Sequence, residues 1–357
     1  MKFDPKTPFS LLPLPPALDF KHARFFDILL KTRTALGELN GYSHSVPNPM
    51  LLLSPAVIRE SVASSNIENI NTTVEQVLQM QLFPEAEQRQ PDKEVLQYRE
   101  AVYWGFEQLK KLPVSTRLVS GIHRKLIPES KAGFRKTQNA ISNSATGEIL
   151  YTPPSANEIS GLMGNWENFL HADDGIDPLI KCAIAHYQFE AIHPFNDGNG
   201  RAGRILMVLY LIEQGFLTFP NLYISGYINK NRSEYYRRLR AITSDNEWNE
   251  LILYMLNGFH LQAKHTTETL VALMKMLGET RDYIRTHHKK IYTAELVEIL
   301  FSYPIITPVS LGKQLEIHYR TASKYLSELV KAKVLKDSYV GKYHLFINKP
   351  LLDLLKK

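Results

Sequence analysis

The sequence contains very little cysteine and has no long apolar run. Its single cysteine, Cys182, has no partner for an intrachain disulfide, so the composition favours a reducing compartment. No apolar stretch approaches the ~20 residues that a membrane-spanning helix needs. The proline-containing start of the chain also lacks the continuous apolar segment of a signal peptide. We therefore expect a cytoplasmic protein that makes no use of a membrane, with Cys182 as a small core residue.

The rest of the composition is that of an ordinary globular protein. Of the 357 residues, 44% are hydrophobic and 22% are charged, which indicates neither disorder nor a coiled coil. A formal net charge of +6 suits an anionic ligand such as a nucleotide or nucleic acid, but many proteins without such a ligand are equally basic. The length allows two or three domains.

Most of the chain carries the apolar periodicity of amphipathic helices. The first 20 residues differ, because their five prolines predict an extended arm. A polar stretch with β-prone flanks predicts a surface β-hairpin over Gln138–Thr152. Past residue 290, the order helix, helix, turn, helix and small hairpin predicts a winged helix-turn-helix. We expect a mainly α protein with a helical N-terminal region (1–112), a core with its following helices (113–288) and the winged helix (289–357).

The segment HPFNDGNGRAGR, from His193 to Arg204, places many polar groups between two apolar helices. Gly198 and Gly200 allow positive φ angles and leave space for a ligand beside the backbone. Successive backbone N–H groups in such a turn bind anions, as does the N-terminus of the helix that follows. Arg201 and Arg204 share one face of the first helical turn, where guanidinium groups bind phosphate. The segment therefore predicts a polyphosphate site.

Two further side chains add chemistry to this site. Asp197 is a lone carboxylate beside the phosphates, which is a common way to hold Mg²⁺ when phosphate oxygens and water complete its shell. His193 carries an imidazole that can accept a proton from an attacking hydroxyl near neutral pH. Together these groups suit the transfer of a phosphorus-containing group to a hydroxyl.

The same segment resembles the signature of the Fic (filamentation induced by cAMP) family, His-Pro-Phe-x-Asp-Gly-Asn-Gly-Arg-x-x-Arg, at every fixed position. The resemblance implies a Fic-type helical bundle with a β-hairpin flap and a C-terminal winged helix. It also implies AMPylation, in which AMP passes from ATP to a Ser, Thr or Tyr hydroxyl of a target protein or of the enzyme itself. The signature does not choose between AMP, other nucleotidyl groups and phosphocholine as the transferred group.

The resemblance implies a role for each part of the loop. His193 would be the general base, Asp197 would bind Mg²⁺ between the α- and β-phosphates, and Arg204 would hold the γ-phosphate. The phosphates would be cradled by Gly198, Asn199, Gly200 and Arg201. Family members also place an aromatic residue near the adenine, for which Tyr235 and Tyr236 are candidates. Adjacent helical positions face about 100° apart, so we expect one of the two to face the site.

Family members hold the target backbone against the flap by strand addition. The hairpin predicted over Gln138–Thr152 is the candidate, with Ile141, Tyr151 and Thr152 as target-binding residues. A plain surface hairpin with no such role is the alternative.

The segment SSNIEN, which ends in Asn69, resembles the inhibitory motif Ser/Thr-x-x-x-Glu-Gly/Asn of the same family. Ser64 and Glu68 are four residues apart and share one face of a helix. In the family this Glu pairs with the second Arg of the loop, here Arg204, so that this Arg is no longer available to bind the γ-phosphate. A reacting atom misplaced by about 1 Å can slow a reaction about 100-fold. We therefore expect Glu68 to inhibit transfer, although in some relatives the same Glu aligns water to remove AMP.

The C-terminal unit leaves two roles open. Arg320, on the second helix of the predicted helix-turn-helix, is placed to contact a phosphate or a base edge of DNA. Winged helices also serve as protein-contact modules, and we favour such a contact or a homodimer over DNA binding. The overall alternatives to AMP transfer are an AMP-removing enzyme and a nucleotide-sensing, DNA-binding regulator.

Overall fold

The protein folds mainly into α-helices, as the apolar periodicity predicts. The computed structural model describes residues 3–49, 54–130, 133–143 and 146–356. Within these ranges the strands form two small antiparallel sheets. None of the helices described there is both long and apolar enough to cross a membrane.

The N-terminal region begins with an arm over residues 3–22 that has no regular secondary structure, and helices joined by loops follow from Ala23. The second helix is almost wholly buried, so Ser64, the first residue of the inhibitory motif, lies inside the molecule. Glu68 and Asn69 follow the end of this helix and are exposed. The helices of the N-terminal region are α1 (Ala23–His44), α2 (Ser54–Ile67), α3 (Val74–Met80) and α4 (Gln90–Gln108), with a short 3₁₀ turn at Glu85–Glu87 between α3 and α4. The next region opens with α5 (Thr116–Leu126), and the side chain of its N-cap Ser115 accepts a hydrogen bond from the Leu118 N–H.

The centre of the molecule is built around two adjacent helices that flank the predicted loop. The second of them is buried from Arg201 to Leu211, as expected for an apolar helix. The last helix of this group is 40 residues long and packs along α1. The group consists of α6 (Ile159–His171), α7 (Pro178–Ile192), α8 (Asn199–Glu213), α9 (Ile224–Lys230), α10 (Arg232–Asp245) and α11 (Trp248–His287).

A short β-hairpin projects from the helical core, as predicted for Gln138–Thr152. It consists of β1 (Ile141–Ser142) and β2 (Ile149–Tyr151), with Ile141 opposite Tyr151. The register shifts after Ile141, so the paired strands are shorter than the predicted segment. Residues 144 and 145 of the turn lie outside the described ranges.

The C-terminal unit has the order expected of a winged helix-turn-helix, with an additional short strand after its first helix and a helix at its end. Its sheet has the strand order β3–β5–β4, with both pairs antiparallel. Its elements are α12 (Ala294–Ser302), β3 (Ile305–Ile306), α13 (Pro308–Gln314), α14 (Tyr319–Lys331), β4 (Lys336–Val340), β5 (Tyr343–Ile347) and α15 (Lys349–Leu355).

Hydrophobic packing joins this unit to the rest of the chain. Leu273 and Ile284 of α11 belong to the same apolar cluster as the C-terminal helices. A separate cluster brings Ile58 of α2 together with Leu345 of β5 and Leu352 of α15. The helix with the inhibitory motif is therefore held between the core and the C-terminal unit, while the domain boundaries near residues 112 and 288 stay predictions.

Candidate active site

A cavity of about 380 Å³ lies where the loop between α7 and α8 meets the hairpin, the end of α2 and helix α10. This volume is typical of a site for a small molecule. Most of the predicted site residues line it, although they come from four separate segments. These lining residues are Glu68, Ile141, Tyr151, His193, Asp197, Gly198, Asn199, Gly200, Arg204, Tyr235 and Tyr236.

The loop turns sharply at both of its ends. His193 caps the end of α7 in the left-handed region, with φ 49° and ψ 59°, although a residue before proline usually adopts an extended conformation. Gly198 has φ 79°, as predicted for a glycine that opens the next helix. The side chain of Asn199 holds the loop closed, since its Oδ1 accepts from Phe195 N at 2.9 Å and its Nδ2 donates to Phe195 O at 2.8 Å.

The imidazole of His193 is held as a neutral base. Burial lowers its pKa to about 4, so the ring is unprotonated at neutral pH. Its Nδ1 lies 3.4 Å from the carbonyl oxygen of Glu190, which leaves Nε2 free to accept a proton when Nδ1 carries the hydrogen. Sequence reasoning missed Arg135, whose Nε donates to the His193 carbonyl at 2.9 Å and whose backbone N–H donates to Pro194 at 2.8 Å.

The carboxylate of Asp197 is open to solvent at the edge of the loop, with its side chain 75% exposed. Its Oδ1 accepts from Gly198 N at 2.6 Å, and its Oδ2 lies 3.3 Å from Arg201 Nη2. No cluster of three or more metal-binding side chains occurs in the described part of the chain. One exposed carboxylate nevertheless fits a Mg²⁺ ion that takes its remaining ligands from phosphate oxygens and water.

The buried guanidinium of Arg201 is bound by two carboxylates. Its Nη1 donates to Glu94 Oε2 at 3.0 Å, while its Nη2 contacts Asp197. Arg201 does not line the cavity here. Glu94 belongs to α4 and lies 107 residues from Arg201, so no local pattern in the sequence points to this pair.

Arg204 is 1% exposed and is surrounded by partners from the end of the N-terminal helix α2. Its Nε donates to Ser64 Oγ at 2.8 Å, and its Nη2 donates to Ser64 O at 3.0 Å and to Glu68 Oε1 at 2.7 Å. Burial alone would raise the pKa of Glu68, but the adjacent guanidinium lowers it below its usual value. Glu68 is therefore ionised, and the pairing with Arg204 that the family resemblance implies is present.

Asn69 follows this contact in the left-handed region, with φ 64°. Glycine and asparagine adopt this conformation most readily, which accounts for the choice of these two residue types at the last position of the motif. The side chain of Asn69 also accepts a hydrogen bond from Arg232 Nη2 at 3.1 Å. The end of α2 is thereby attached to the start of α10.

The two candidate tyrosines both line the cavity, although we expected one of them to face it. Tyr235 is buried, and its hydroxyl lies 2.8 Å from His186 Nε2. Burial lowers the pKa of His186 to about 3, so this imidazole is neutral. Tyr236 is 37% exposed, which makes it the more accessible of the two to a ligand.

Two of the three flap residues line the cavity, and the third does not. Ile141 and Tyr151 face it, and the Tyr151 hydroxyl donates to Ala191 O at 2.8 Å. Thr152 instead contacts the N-terminal arm. The structure also adds Phe3 and Glu190 to the lining, neither of which was predicted. Burial raises the pKa of Glu190 to about 8, so this carboxyl is largely protonated at neutral pH.

Three family models match consecutive parts of the chain. Residues 27–107 match the Fic/DOC family N-terminal region, residues 113–211 match the Fic/DOC family, and residues 276–351 match the protein adenylyltransferase SoFic-like C-terminal domain. The first two matches fall within the regions predicted over 1–112 and 113–288, whereas the third begins at residue 276, before the boundary predicted at 288.

Relatives with assigned names are similar over different shares of the chain. A probable protein adenylyltransferase of Aquifex aeolicus is 27% identical over 310 residues, covering 83% of this chain and 86% of that protein. The protein adenylyltransferase Fic of Drosophila grimshawi is 30% identical over 138 residues, covering 37% of this chain. That match spans 26% of the Drosophila protein, so the likeness to it is confined to part of each chain.

Solved structures show the same fold at low sequence identity. A crystal structure of a Fic family protein from Desulfovibrio desulfuricans has a TM-score of 0.60 and 18% identity, covering 94% of this chain and 98% of that one. The structure of Fic-1 from C. elegans has a TM-score of 0.51 and 19% identity, covering 71% and 73%. Because the complete signature loop lies within the segment that matches the Fic/DOC family, and the preceding segment matches the N-terminal region of that family, this chain belongs to the Fic/DOC family.

Proposed function

We propose that this protein is an ATP-dependent adenylyltransferase that transfers AMP to a Ser, Thr or Tyr hydroxyl of a target protein and is inhibited by its own Glu68. One observation carries the proposal: a neutral imidazole, an anion-binding loop and Arg204 line one cavity, with Arg204 bound by Glu68. The names of the relatives support the same activity.

The transfer step needs a base at the place where His193 lies. The acceptor hydroxyl oxygen bonds to the α-phosphorus of ATP, and the bond from that phosphorus to the bridging oxygen of pyrophosphate breaks. Nε2 of His193 takes the hydroxyl proton, since its low pKa keeps it unprotonated and ready to accept. Pyrophosphate leaves with the bonding electron pair.

The phosphates would be held by the loop and by the start of α8. The backbone N–H groups from Gly198 to Gly200 and the positive end of the helix dipole favour the negative charge. A side chain at position 200 would run into Glu68 and Arg204, so glycine at this position leaves room for this pair beside the loop. Asp197 would hold Mg²⁺, which neutralises phosphate charge when it is bound.

Inhibition follows from competition for a single guanidinium. Ser64 and Glu68 take up both Nε and Nη2 of Arg204, which the γ-phosphate would otherwise use. The carboxylate of Glu68 also repels the phosphate charge within the same cavity. Nucleotide that binds without Arg204 is poorly aligned, and poor alignment lowers the rate of attack steeply.

The contacts of the C-terminal unit favour a role in protein contact over DNA binding. The hairpin that would form the wing lies against the N-terminal region: Lys342 Nζ contacts Glu87 Oε1 at 2.9 Å, and the Tyr343 hydroxyl donates to Glu87 Oε2 at 2.9 Å. The ring of Tyr343 also stacks on Phe83, with 4.2 Å between centroids. A wing used in this way within the chain is not free to follow a DNA groove.

The proposal is tested by label transfer from ATP carrying ³²P on its α-phosphate, with Mg²⁺, onto the protein itself and onto lysate proteins. Wild type, Glu68→Gly and His193→Ala are compared, with His287→Ala as a control for an exposed histidine far along α11. We expect strong transfer by Glu68→Gly, weak transfer by wild type and His287→Ala, and none by His193→Ala.

A parallel reaction with label on the γ-phosphate separates AMP transfer from phosphorylation, because only the former leaves this label in pyrophosphate. Absence of α-label transfer by every variant would contradict the proposal. Loss of preformed AMP-protein on addition of wild type, but not of His193→Ala, would instead identify an AMP-removing enzyme.

A further inference from the structure

The N-terminal arm lies along the end of the hairpin. The backbone N–H of Phe9 donates to Thr152 O at 2.9 Å, and the Thr152 hydroxyl donates to Pro5 O at 2.7 Å. The arm therefore contacts the residue directly after β2 through main-chain groups. This is the type of contact that an added segment makes with a sheet.

Aromatic rings fasten the same part of the arm to the hairpin. Phe3 stacks near Tyr151 with 6.5 Å between centroids, Phe9 lies 5.7 Å from Tyr151, and the two phenylalanines are 6.0 Å apart. These distances suit favourable aromatic contacts. Tyr151 is itself fixed through its hydroxyl to Ala191. It forms a rigid aromatic surface on which two side chains of the arm rest.

The arm also forms part of the cavity that holds His193. Phe3 lines this cavity together with Ile141 and Leu150 of the hairpin. An acceptor hydroxyl has to reach His193 inside the cavity, and the hairpin forms one wall of the approach. A protein segment that approaches along the hairpin therefore meets the arm there.

The arm is anchored beyond this contact, so its first residues can leave without unfolding the core. The backbone N–H of Leu14 donates to Asn165 Oδ1 at 2.7 Å, and Asn165 Nδ2 donates to Leu14 O at 3.0 Å. Gln188 Nε2 donates to Leu12 O at 2.9 Å. Between Phe3 and Phe9, in contrast, Asp4 and residues 6–8 are exposed.

We propose that residues 3–9 occupy the acceptor site on the hairpin and are displaced by the target. The site then fits an extended protein segment that places an aromatic side chain against Tyr151. The inference rests on the proposed transfer to protein hydroxyls. The arm would limit access of the acceptor protein to the site, whereas Glu68 limits the alignment of the nucleotide.

The first test measures binding of a fluorescent synthetic peptide with the sequence of residues 1–12 to full-length chains. Phe3→Ala with Phe9→Ala should release the arm, so we expect this variant to bind the peptide at least tenfold more tightly than wild type. Leu12→Ala is the matched control, because its side chain on the same arm is 73% exposed and its main-chain contact is kept. The control should bind the peptide as weakly as wild type does.

A second variant, Phe9→Pro, removes the N–H that donates to Thr152. Its affinity for the peptide should lie between those of wild type and the double alanine variant. A peptide with both phenylalanines replaced by alanine should bind at least tenfold more weakly than the natural peptide. Equal binding of the peptide by wild type and by both arm variants, or no binding by either variant at an unchanged melting temperature, would overturn the proposal.

The second test measures label transfer to lysate proteins in the Glu68→Gly background. We expect the rate of label transfer to rise severalfold when the arm is released and to stay unchanged in Leu12→Ala. The peptide should inhibit transfer, and excess ATP should not relieve this inhibition. An unchanged transfer rate on release of the arm would contradict the inference. Failure of transfer in every background would instead contradict the proposed function, while peptide binding would still decide whether the arm fills this site.

Discussion

Arg204 donates a hydrogen bond to Glu68 at 2.7 Å across 136 residues of sequence. Glu68 is the first residue beyond α2, and Asn69 follows it with a positive φ angle. The carboxylate can therefore move away from Arg204 while the buried part of α2 stays in place. The contact joins the inhibitory segment to the phosphate-binding loop through one guanidinium, and this makes inhibition sensitive to small changes around Arg204.

Ser64→Ala should weaken inhibition without removing it. The substitution takes away the hydroxyl that accepts from Arg204 Nε. A hydrogen bond to a charged group contributes about 1.5 kcal/mol, which corresponds to roughly tenfold in an equilibrium. We expect label transfer to rise by up to about that factor and to stay below the rate of Glu68→Gly.

Ser65→Ala is the matched control for this variant, because the neighbouring Ser65 hydroxyl is buried without a partner in the described structure. Its rate should equal that of wild type. Equal rates for Ser64→Ala and Ser65→Ala would show that the hydroxyl of Ser64 does not hold Arg204.

Glu94→Gln should weaken the binding of Mg²⁺ at Asp197. When residue 94 is a neutral glutamine, the charge of Arg201 is balanced by Asp197 alone. Arg201 then binds the Asp197 carboxylate more strongly and competes with the metal ion for it. In the Glu68→Gly background we expect a severalfold higher Mg²⁺ concentration for half-maximal transfer. Glu100→Gln, on the same helix and paired with the exposed Lys125, should leave the Mg²⁺ titration unchanged.

The pH dependence of transfer should reflect the low pKa of His193. Burial lowers this pKa to about 4, so the neutral base is present above that pH and is lost as the pH falls through it. At saturating ATP and Mg²⁺, we expect the rate of Glu68→Gly to be nearly constant down to about pH 5 and to fall below it. An acidic limb near 6.5, the usual value for histidine, would show that the imidazole is solvated during the reaction.

Tyr343→Ala should loosen the attachment of the C-terminal unit to the N-terminal region. It removes the stack on Phe83 and the hydrogen bond to Glu87. The aromatic stack contributes about 1 kcal/mol, and the free energy of unfolding should fall by that order. Tyr339→Ala, 68% exposed on the adjacent strand, is the control and should cost clearly less in the same denaturant titration.

Features that depend on short-range sequence were predictable. The helices follow from apolar periodicity, and the loop conformation follows from its glycines, one of which has the expected positive φ angle. The Fic signature could be read as a phosphate site because its groups lie within one turn and the start of one helix. The motif Ser64-x-x-x-Glu68 was recognisable for the same reason, since four residues place two side chains on one helical face.

Partners from distant segments were not predictable. Arg201 was expected among the phosphate ligands, but its binding to Glu94 depends on how α4 packs beside α8. Arg135 and Phe3 reach the site from loops without any periodicity that would mark them. Both tyrosines line the cavity because α10 presents its edge to it, and the engagement of Tyr235 by His186 requires α7 as a neighbour.

The sequence by itself determined the mainly helical fold, the phosphate-binding loop and the pairing of residue types needed for inhibition, because these depend on local backbone geometry and helical spacing. Only the tertiary structure decided which carboxylate holds which arginine, that the arm rests on the hairpin, and that the C-terminal unit packs against α2. These contacts arise when apolar faces from distant segments are buried together, and the polar groups brought in with them must then find partners.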